Sequence, residues 1–249
     1  MARINYDDRT AAAFKAVREV PRDRLADWRA ALHRHLRPQP GMTLADIGAG
    51  TGAFAAALRV WFGISVLAVE PSAAMRAQIP RRPGIQVLEG HASALPLPDG
   101  SADAAWLSTV IHHIPDLEAA AREIRRVLRP GAPVLIRQAF PGRADGIGLV
   151  RWFPETAKTI DTYPSVDETC EAFAAAGFHR DALEQVPQTD LTDLTEFLGR
   201  VDAFRQADTT MRNLTEEEFR RGRDRLRLAA QDAAARQPRT SWLDLLVLR

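Results

Sequence analysis

Between residues 41 and 140 the chain alternates short β-type runs with helical ones, and the first run empties into a glycine-rich turn. The β-type runs are 43–47, 65–69, 85–88, 104–107 and 134–137. The helical stretches between them are 53–61, 73–79 and 117–128. Strand–helix alternation predicts a parallel sheet with helices on both faces. The turn reads Asp46-Ile47-Gly48-Ala49-Gly50-Thr51-Gly52. Glycines there let the chain reverse sharply and let a ligand meet the main chain where a Cβ would collide. The next β-type run ends in Glu70, twenty residues after Gly50. In a doubly wound sheet that position offers a carboxylate to ribose hydroxyls. A turn that binds nothing would need neither the carboxylate nor its spacing.

The flanks read differently. Residues 10–18 and 23–36 are two helices separated by Pro21, with Leu25, Trp28, Leu32 and Leu36 on one apolar face. Past Phe140 the alternation stops. Residues 141–163 carry Gly142, Gly146, Gly148 and Pro154 among the aromatics Trp152, Phe153 and Tyr163. Two capping boxes follow, Ser165 to Glu168 and Thr215 to Glu218. They mark helices from 165 to Gly177 and over 216–236. Leu191, Leu194, Phe197, Leu198, Val201 and Phe204 form a stripe for a helix over 191–206. Trp242–Leu248 closes the chain as a strand. The expected architecture is α/β: a Rossmann-like, doubly wound, mostly parallel seven-stranded sheet with N-terminal helices and a helical cap inserted before the last strand. In domain terms, 1–40 is a helical lid, 41–140 the ligand-binding core, and 141–249 the remaining core strands with the cap.

Charge narrows the function classes. With 33 Lys and Arg against 32 Asp and Glu, the net charge is +1. A nucleic-acid partner would call for a basic excess, so none is expected. The basic stretch 119–151 reads as a solvated helix face. A single cysteine, Cys170, allows no intramolecular disulfide, and without a Cys/His cluster no metal is expected. No stretch approaches the ~20 apolar residues of a membrane span, and the first ten residues lack a signal-peptide core. A cytoplasmic protein of open oligomeric state is the expectation.

Four further segments, in order, carry a resemblance. Leu67-Ala-Val-Glu-Pro-Ser-Ala-Ala-Met75 follows the turn. Gly90-His-Ala-Ser-Ala-Leu-Pro-Leu-Pro-Asp-Gly-Ser-Ala-Asp103 comes next, then Ser108-Thr-Val-Ile-His-His-Ile-Pro-Asp116 and Arg126-Val-Leu-Arg-Pro-Gly131. Together with residues 46–52 they resemble the motifs of class I S-adenosylmethionine-dependent methyltransferases. The likeness is to the small-molecule branch of quinone biosynthesis and secondary-metabolite tailoring. The resemblance implies S-adenosyl-L-methionine as donor, S-adenosyl-L-homocysteine as product, and a small-molecule acceptor. It implies donor contacts from Asp46, Gly48, Ala49, Gly50, Gly52, Glu70, Pro71, Met75, His91, Ala92, Ser93, Ser108, Thr109 and His113. Two positions depart from the family pattern. His91 replaces the usual acid, which moves adenine recognition to Ala92 and Ser93, and Ala132 replaces the second glycine of the turn before strand five.

Candidates for the chemistry are few. His112 and His113 fall just past strand four, at the carboxyl edge where such sheets bind ligands, and imidazole titrates near ~6.5. Either suits a general base, or packs against the donor. Tyr6 lies in a segment resembling the one that folds over the donor. Arg137, Phe140, Trp152, Phe153 and Tyr163, with Tyr6, are expected to line an aromatic acceptor pocket. Two other readings share these motifs. One is a donor-binding protein that transfers no methyl group, such as a cyclase. The other is a nicotinamide-dependent oxidoreductase, which rests on Gly48-x-Gly50-x-x-Ala53 alone.

Overall fold

The computed structural model describes residues 22–191, 193–237 and 239–249. Tyr6 and the helix expected at 10–18 lie outside them. Five strands pair in parallel: β1 (Thr43–Ile47), β2 (Ser65–Val69), β3 (Ile85–Leu88), β4 (Ala104–Ser108) and β5 (Val134–Gln138). Two antiparallel strands, β6 (Arg180–Leu191) and β7 (Arg239–Leu248), complete a seven-stranded sheet of order β3-β2-β1-β4-β5-β7-β6. The order reverses between β1 and β4, which opens a crevice at their carboxyl ends.

Helices α1 (Ala26–Leu36) and α2 (Ala53–Phe62) cover one face of the sheet. Trp28, Leu32 and Leu58 bury there against Leu44, Trp106, Leu135 and Leu245. The Trp28 and Trp106 rings meet edge to face at 6.1 Å. On the opposite face, α4 (Leu117–Val127) and α5 (Val166–Ala174) bring Ile124, Val127 and Phe173 against Ile47, Leu107 and Ile136. The short α3 (Ala73–Gln78) follows β2. Every residue of β5 is buried, as expected of a central strand covered on both sides.

Three expectations need correction. No strand is predicted over 180–191, yet β6 is the longest in the sheet. The stretch is polar, carries Pro187 and lacks two-residue alternation. Proline is tolerated there because β6 is an edge strand, paired only with β7. Leu191 therefore ends a strand, and the helix that follows, α6, spans Leu194–Ala207, capped by Asp193. The helix opened by Thr215, α7, stops at Ala229 (Glu216–Ala229), and a separate 3-10 turn, Ala233–Arg236, follows.

This topology fixes where the insertion sits. Because β7 runs antiparallel to β5, it enters the sheet at the edge where β5 leaves. Gln138, the last residue of β5, pairs with Asp244, while Val186 to Leu191 and Arg239 to Leu243 continue beyond it as a two-stranded ribbon. Residues 192–238 join those strands, so the cap attaches at the carboxyl edge. It has its own core of Phe153, Phe197, Val201, Met211, Phe219 and Leu226. Among the described residues, no helix is long and apolar enough to cross a membrane.

Candidate active site

The turn after β1 is held from below: the Gly48 and Ala49 N–H groups donate to the Val69 carbonyl at 2.8 and 3.1 Å. Gly48, Gly50 and Gly52 all adopt positive φ. A Cβ at Gly48 would lie 2.4 Å from the Val110 side chain, so that glycine is demanded by packing as well as by φ. A Cβ at Gly50 would meet nothing within 4 Å. Gly50 is the point where the backbone faces open space.

Glu70 closes this turn from the neighbouring strand. Its carboxylate accepts from Gly50 N–H at 2.8 Å and from Ser72 N–H at 2.9 Å. It is 7% exposed. Burial pushes its carboxyl above the usual range, against the donations of Ser72 and Gly50 and the charges of Arg76 and His91. Asp46, at the end of β1, is buried more deeply. Burial first, and the neighbouring Glu70 charge second, raise its pKa to about 7, although the Ala55 N–H donates to it. Its Oδ2 has no hydrogen-bond partner. A buried carboxylate oxygen without a donor is costly unless a ligand supplies one.

Around this pair, Pro71 is exposed, Met75 is buried in α3, and Ser72 caps that helix by accepting from Met75 N–H. Past β3, His91 and Ala94 form an isolated bridge, leaving His91 and Ser93 exposed and Ala92 packed on the sheet's core. Ala132 is not among the positive-φ residues, so its Cβ is harmless there.

The end of β4 supplies the second wall. Ser108 is its last residue, and Thr109 adopts φ +50°, a left-handed conformation that strains a β-branched residue. Thr109 N–H donates to Arg137 O at 2.7 Å and its hydroxyl to Ser108 O at 2.8 Å. His112 and His113 then sit on one 3-10 turn, ring centroids 4.0 Å apart. Tyr163 stacks on His112 at 4.0 Å and 13°. Gln138 Nε2 lies 3.0 Å from His112 Nδ1.

Arg137 lies within β5, on the opposite face from Gln138. Its guanidinium donates to Gln188 Oε1 at 2.6 Å and to Ser108 Oγ at 3.3 Å, over the Trp28 and Phe54 rings at 5.0 and 5.4 Å. It therefore ties β4, β5 and the β6–β7 ribbon together. Phe140 is fully buried under the sheet's edge. Phe153 corrects the pocket expectation. It is fully buried in the cap's core, stacked on Phe219 at 5.8 Å, and a Cβ on Gly222 would come within 2.1 Å of its ring. Trp152 packs partly buried against the same cap cluster. The edge beyond β4 and β5 thus gathers His112, His113, Tyr163 and Gln138. Gln138 and Gln188 went unread in the sequence. The one signal for Gln138 was its place at the carboxyl end of a parallel strand.

Several of the remaining charges are paired locally. Arg126 binds Glu123 and Asp99, and Arg129 binds Asp103. Asp244 is held by Arg143 through Nε and Nη2 at 2.9 and 2.7 Å. Cys170 is half-buried on the core, and burial pushes its thiol up. Among the described residues no cluster could hold a metal ion.

Residues 45–136 match the family model described as a methyltransferase domain. A ubiquinone/menaquinone biosynthesis C-methyltransferase of Caulobacter sp. strain K31 is 32% identical over 202 residues, covering 72% of this chain and 80% of that relative. A relative of the same description in Caulobacter vibrioides is 37% identical over 121 residues, which is only 48% of its length. Among solved structures, a protein of Anabaena variabilis described as a methyltransferase of an antibiotic biosynthesis pathway superposes with TM-score 0.73. It is 24% identical, with 92% of this chain and all of that chain covered. A cyclase shares the fold at TM-score 0.58 and 20% identity, over 90% of this chain and 80% of its own.

Proposed function

The chain belongs to the class I S-adenosylmethionine-dependent methyltransferases of the small-molecule type, and we propose that within that family it methylates a small aromatic or conjugated metabolite. The observation that carries the proposal is the pairing of the two walls. Gly50 and Glu70 follow β1 and β2, and His112, stacked on Tyr163, follows β4, so both groups stand at the carboxyl ends of neighbouring strands. Donor and acceptor sites on adjacent strand ends are what an in-line transfer needs.

The donor fits the first wall. The backbone at Gly50 has room for a ligand. Glu70 retains acceptor capacity beside its two N–H donors, suited to ribose hydroxyls. The unpartnered Asp46 Oδ2 suits a donor group of a cationic ligand. When bound, S-adenosylmethionine supplies a methyl carbon already activated by the sulfonium. The chain's own residues then orient and shield. Gly48, Gly50 and Gly52 shape the turn, Thr109 holds the end of β4, and the cap attaches over the carboxyl edge where water must be kept out. The reading of Tyr163 as an acceptor-facing ring is supported by its stacking on His112. A small molecule as partner is supported by the near-zero net charge and by the local pairing of the arginines. An acceptor resembling a quinol is supported by the descriptions of the relatives.

Calorimetric titration tests the donor site. S-adenosylhomocysteine should bind, and Glu70→Ala should weaken it by about 1–3 kcal/mol, the value of charged hydrogen bonds lost. Unchanged affinity would remove Glu70 from the site. Consumption of labelled methyl donor against phenols, indoles and quinols tests the reaction. Donor binding with no transfer to any of them would favour a non-methylating member of the fold.

A further inference from the structure

We infer that Arg76 positions Glu70 for the methyl donor, its guanidinium pinning the backbone that carries Glu70 and standing as a fixed positive charge beside the carboxylate. The inference rests on the reading of Glu70 as the carboxylate that meets the donor's ribose. It adds to that reading a positioning residue that acts through Glu70.

Glu70 stands where the sheet ceases to hold the chain. β2 ends at Val69, and the Glu70 N–H still donates to the Leu88 carbonyl at 3.1 Å. The carbonyls of Glu70 and Pro71 are met from α3 instead. Arg76 folds back over the start of its own helix, and its Nη1 donates to Glu70 O at 2.9 Å and to Pro71 O at 2.6 Å. Its Nη2 donates to Glu89 Oε2 at 2.7 Å, just past the end of β3. One planar fork therefore joins the ends of two strands. From the other direction, the Glu70 carboxylate takes the N–H groups of Gly50 and Ser72. A carboxylate held at two fixed points has little slack, so a movement of the Glu70 peptide would be passed on to the glycine-rich turn.

The pairing with Glu89 does not account for this arrangement. The Glu89 side chain is 75% exposed, and an ion pair with so exposed a partner contributes little to stability. The Arg76 side chain is only 16% exposed, and two of its bonds go to main-chain oxygens at the donor turn.

Charge adds to geometry. The ionisable groups facing Glu70 come from three elements. Asp46 from β1 opposes its charge, while Arg76 from α3 and His91 from the loop past β3 favour it. An imidazole loses its charge near neutrality, whereas a guanidinium keeps it. Arg76 is thus the cation that goes on favouring the ionised carboxylate at neutral and alkaline pH. In that form both oxygens accept, which suits a pair of ribose hydroxyls.

The test is calorimetric titration of S-adenosylhomocysteine into the full chain, arranged as a double-substitution cycle. Arg76→Gln removes both the charge and the fork, and should weaken binding about 3–10-fold. Arg76→Lys keeps the charge on a point donor that cannot span both strand ends, and should recover part of that loss. In a Glu70→Ala background, Arg76→Gln should cost no further affinity, because no carboxylate is left to place. An arginine that served stability alone would cost the same with and without Glu70. Full affinity in Arg76→Gln, or an equal loss in both backgrounds, would overturn the inference. Should Arg76→Gln fail to fold, Arg76→Lys carries the same cycle, with the same outcomes deciding. The premise fails separately. Unchanged affinity in Glu70→Ala removes the ribose reading and this inference with it, whereas weakened Glu70→Ala beside full affinity in Arg76→Gln removes the role of Arg76 alone.

Discussion

The acids of the glycine-rich turn and the acids of the cap are displaced in opposite directions. Asp46 and Glu70 are pushed up, chiefly by burial. Asp193 and Glu218, at the helix ends of the cap, are held below the usual carboxylate range by backbone N–H groups, those of Glu196 and Thr215 first. The cap's acids contribute to stability where they stand, because the fold itself satisfies them. The turn's acids are held in the fold at a cost that the N–H donations of Gly50, Ser72 and Ala55 do not offset. Perturbed acids of this kind cluster where ligands bind, whereas satisfied ones stabilise helix ends.

Glycine substitutions break the comparison most severely. Gly48→Ala forces a Cβ against Val110 at a φ of +71° and should destabilise by about 3–5 kcal/mol, strain and overlap together. Donor binding should be lost with it, measured by denaturant titration and calorimetry on the same preparation. Gly222→Ala presses on the buried Phe153 ring instead. It should cost about 1–3 kcal/mol and leave donor affinity near that of the unsubstituted chain. Equal damage to donor affinity from both would mean that the two regions are not separable.

The pH response sharpens the contrast. In the folded chain Asp46 is protonated below about 7, while in the unfolded chain it ionises near 3.8. Between those values the native state binds the extra proton, so stability falls as pH rises through the window. Asp46→Asn should remove that slope, worth about 2–4 kcal/mol between pH 4 and 8. The cap's acids run the other way, contributing stability that is lost as pH falls through their depressed values. Urea unfolding at pH 5 and pH 8, with and without the substitution, reads the difference. A slope that persists in Asp46→Asn would assign the effect elsewhere.

The smallest effect belongs to a helix end. Thr215→Ala removes one half of a capping box, Thr215 Oγ1 accepting from Glu218 N–H at 3.2 Å while Glu218 accepts from Thr215 N–H at 2.9 Å. It should cost about 1 kcal/mol, seen as faster amide exchange over α7, with no change in donor affinity.

The parts legible in the sequence share a physical origin. The strand–helix order over 41–140, the turn at Gly48–Gly52, Glu70 at its spacing and both capping boxes are set by residues close in the chain. Periodicity, φ and local hydrogen bonds encode them without reference to anything distant. The region past β4 and β5 is different. Phe153 reads like a pocket aromatic because nothing local tells a ring that lines a cleft from one that fills a core. Only the approach of Gly222 and Phe219, far along the chain, seats Phe153 inside the cap.

What the sequence determined alone is therefore the frame and the glycine-rich turn. What tertiary structure decided is β6, a polar edge strand with no pattern of its own that exists through its pairing with β7. It also decided the side-chain contacts around the ends of β4 and β5. There Gln138 meets His112 across 26 residues and Gln188 meets Arg137 across 51. Such contacts carry no local periodicity, because each side chain's partner is chosen by which strands the sheet brings side by side.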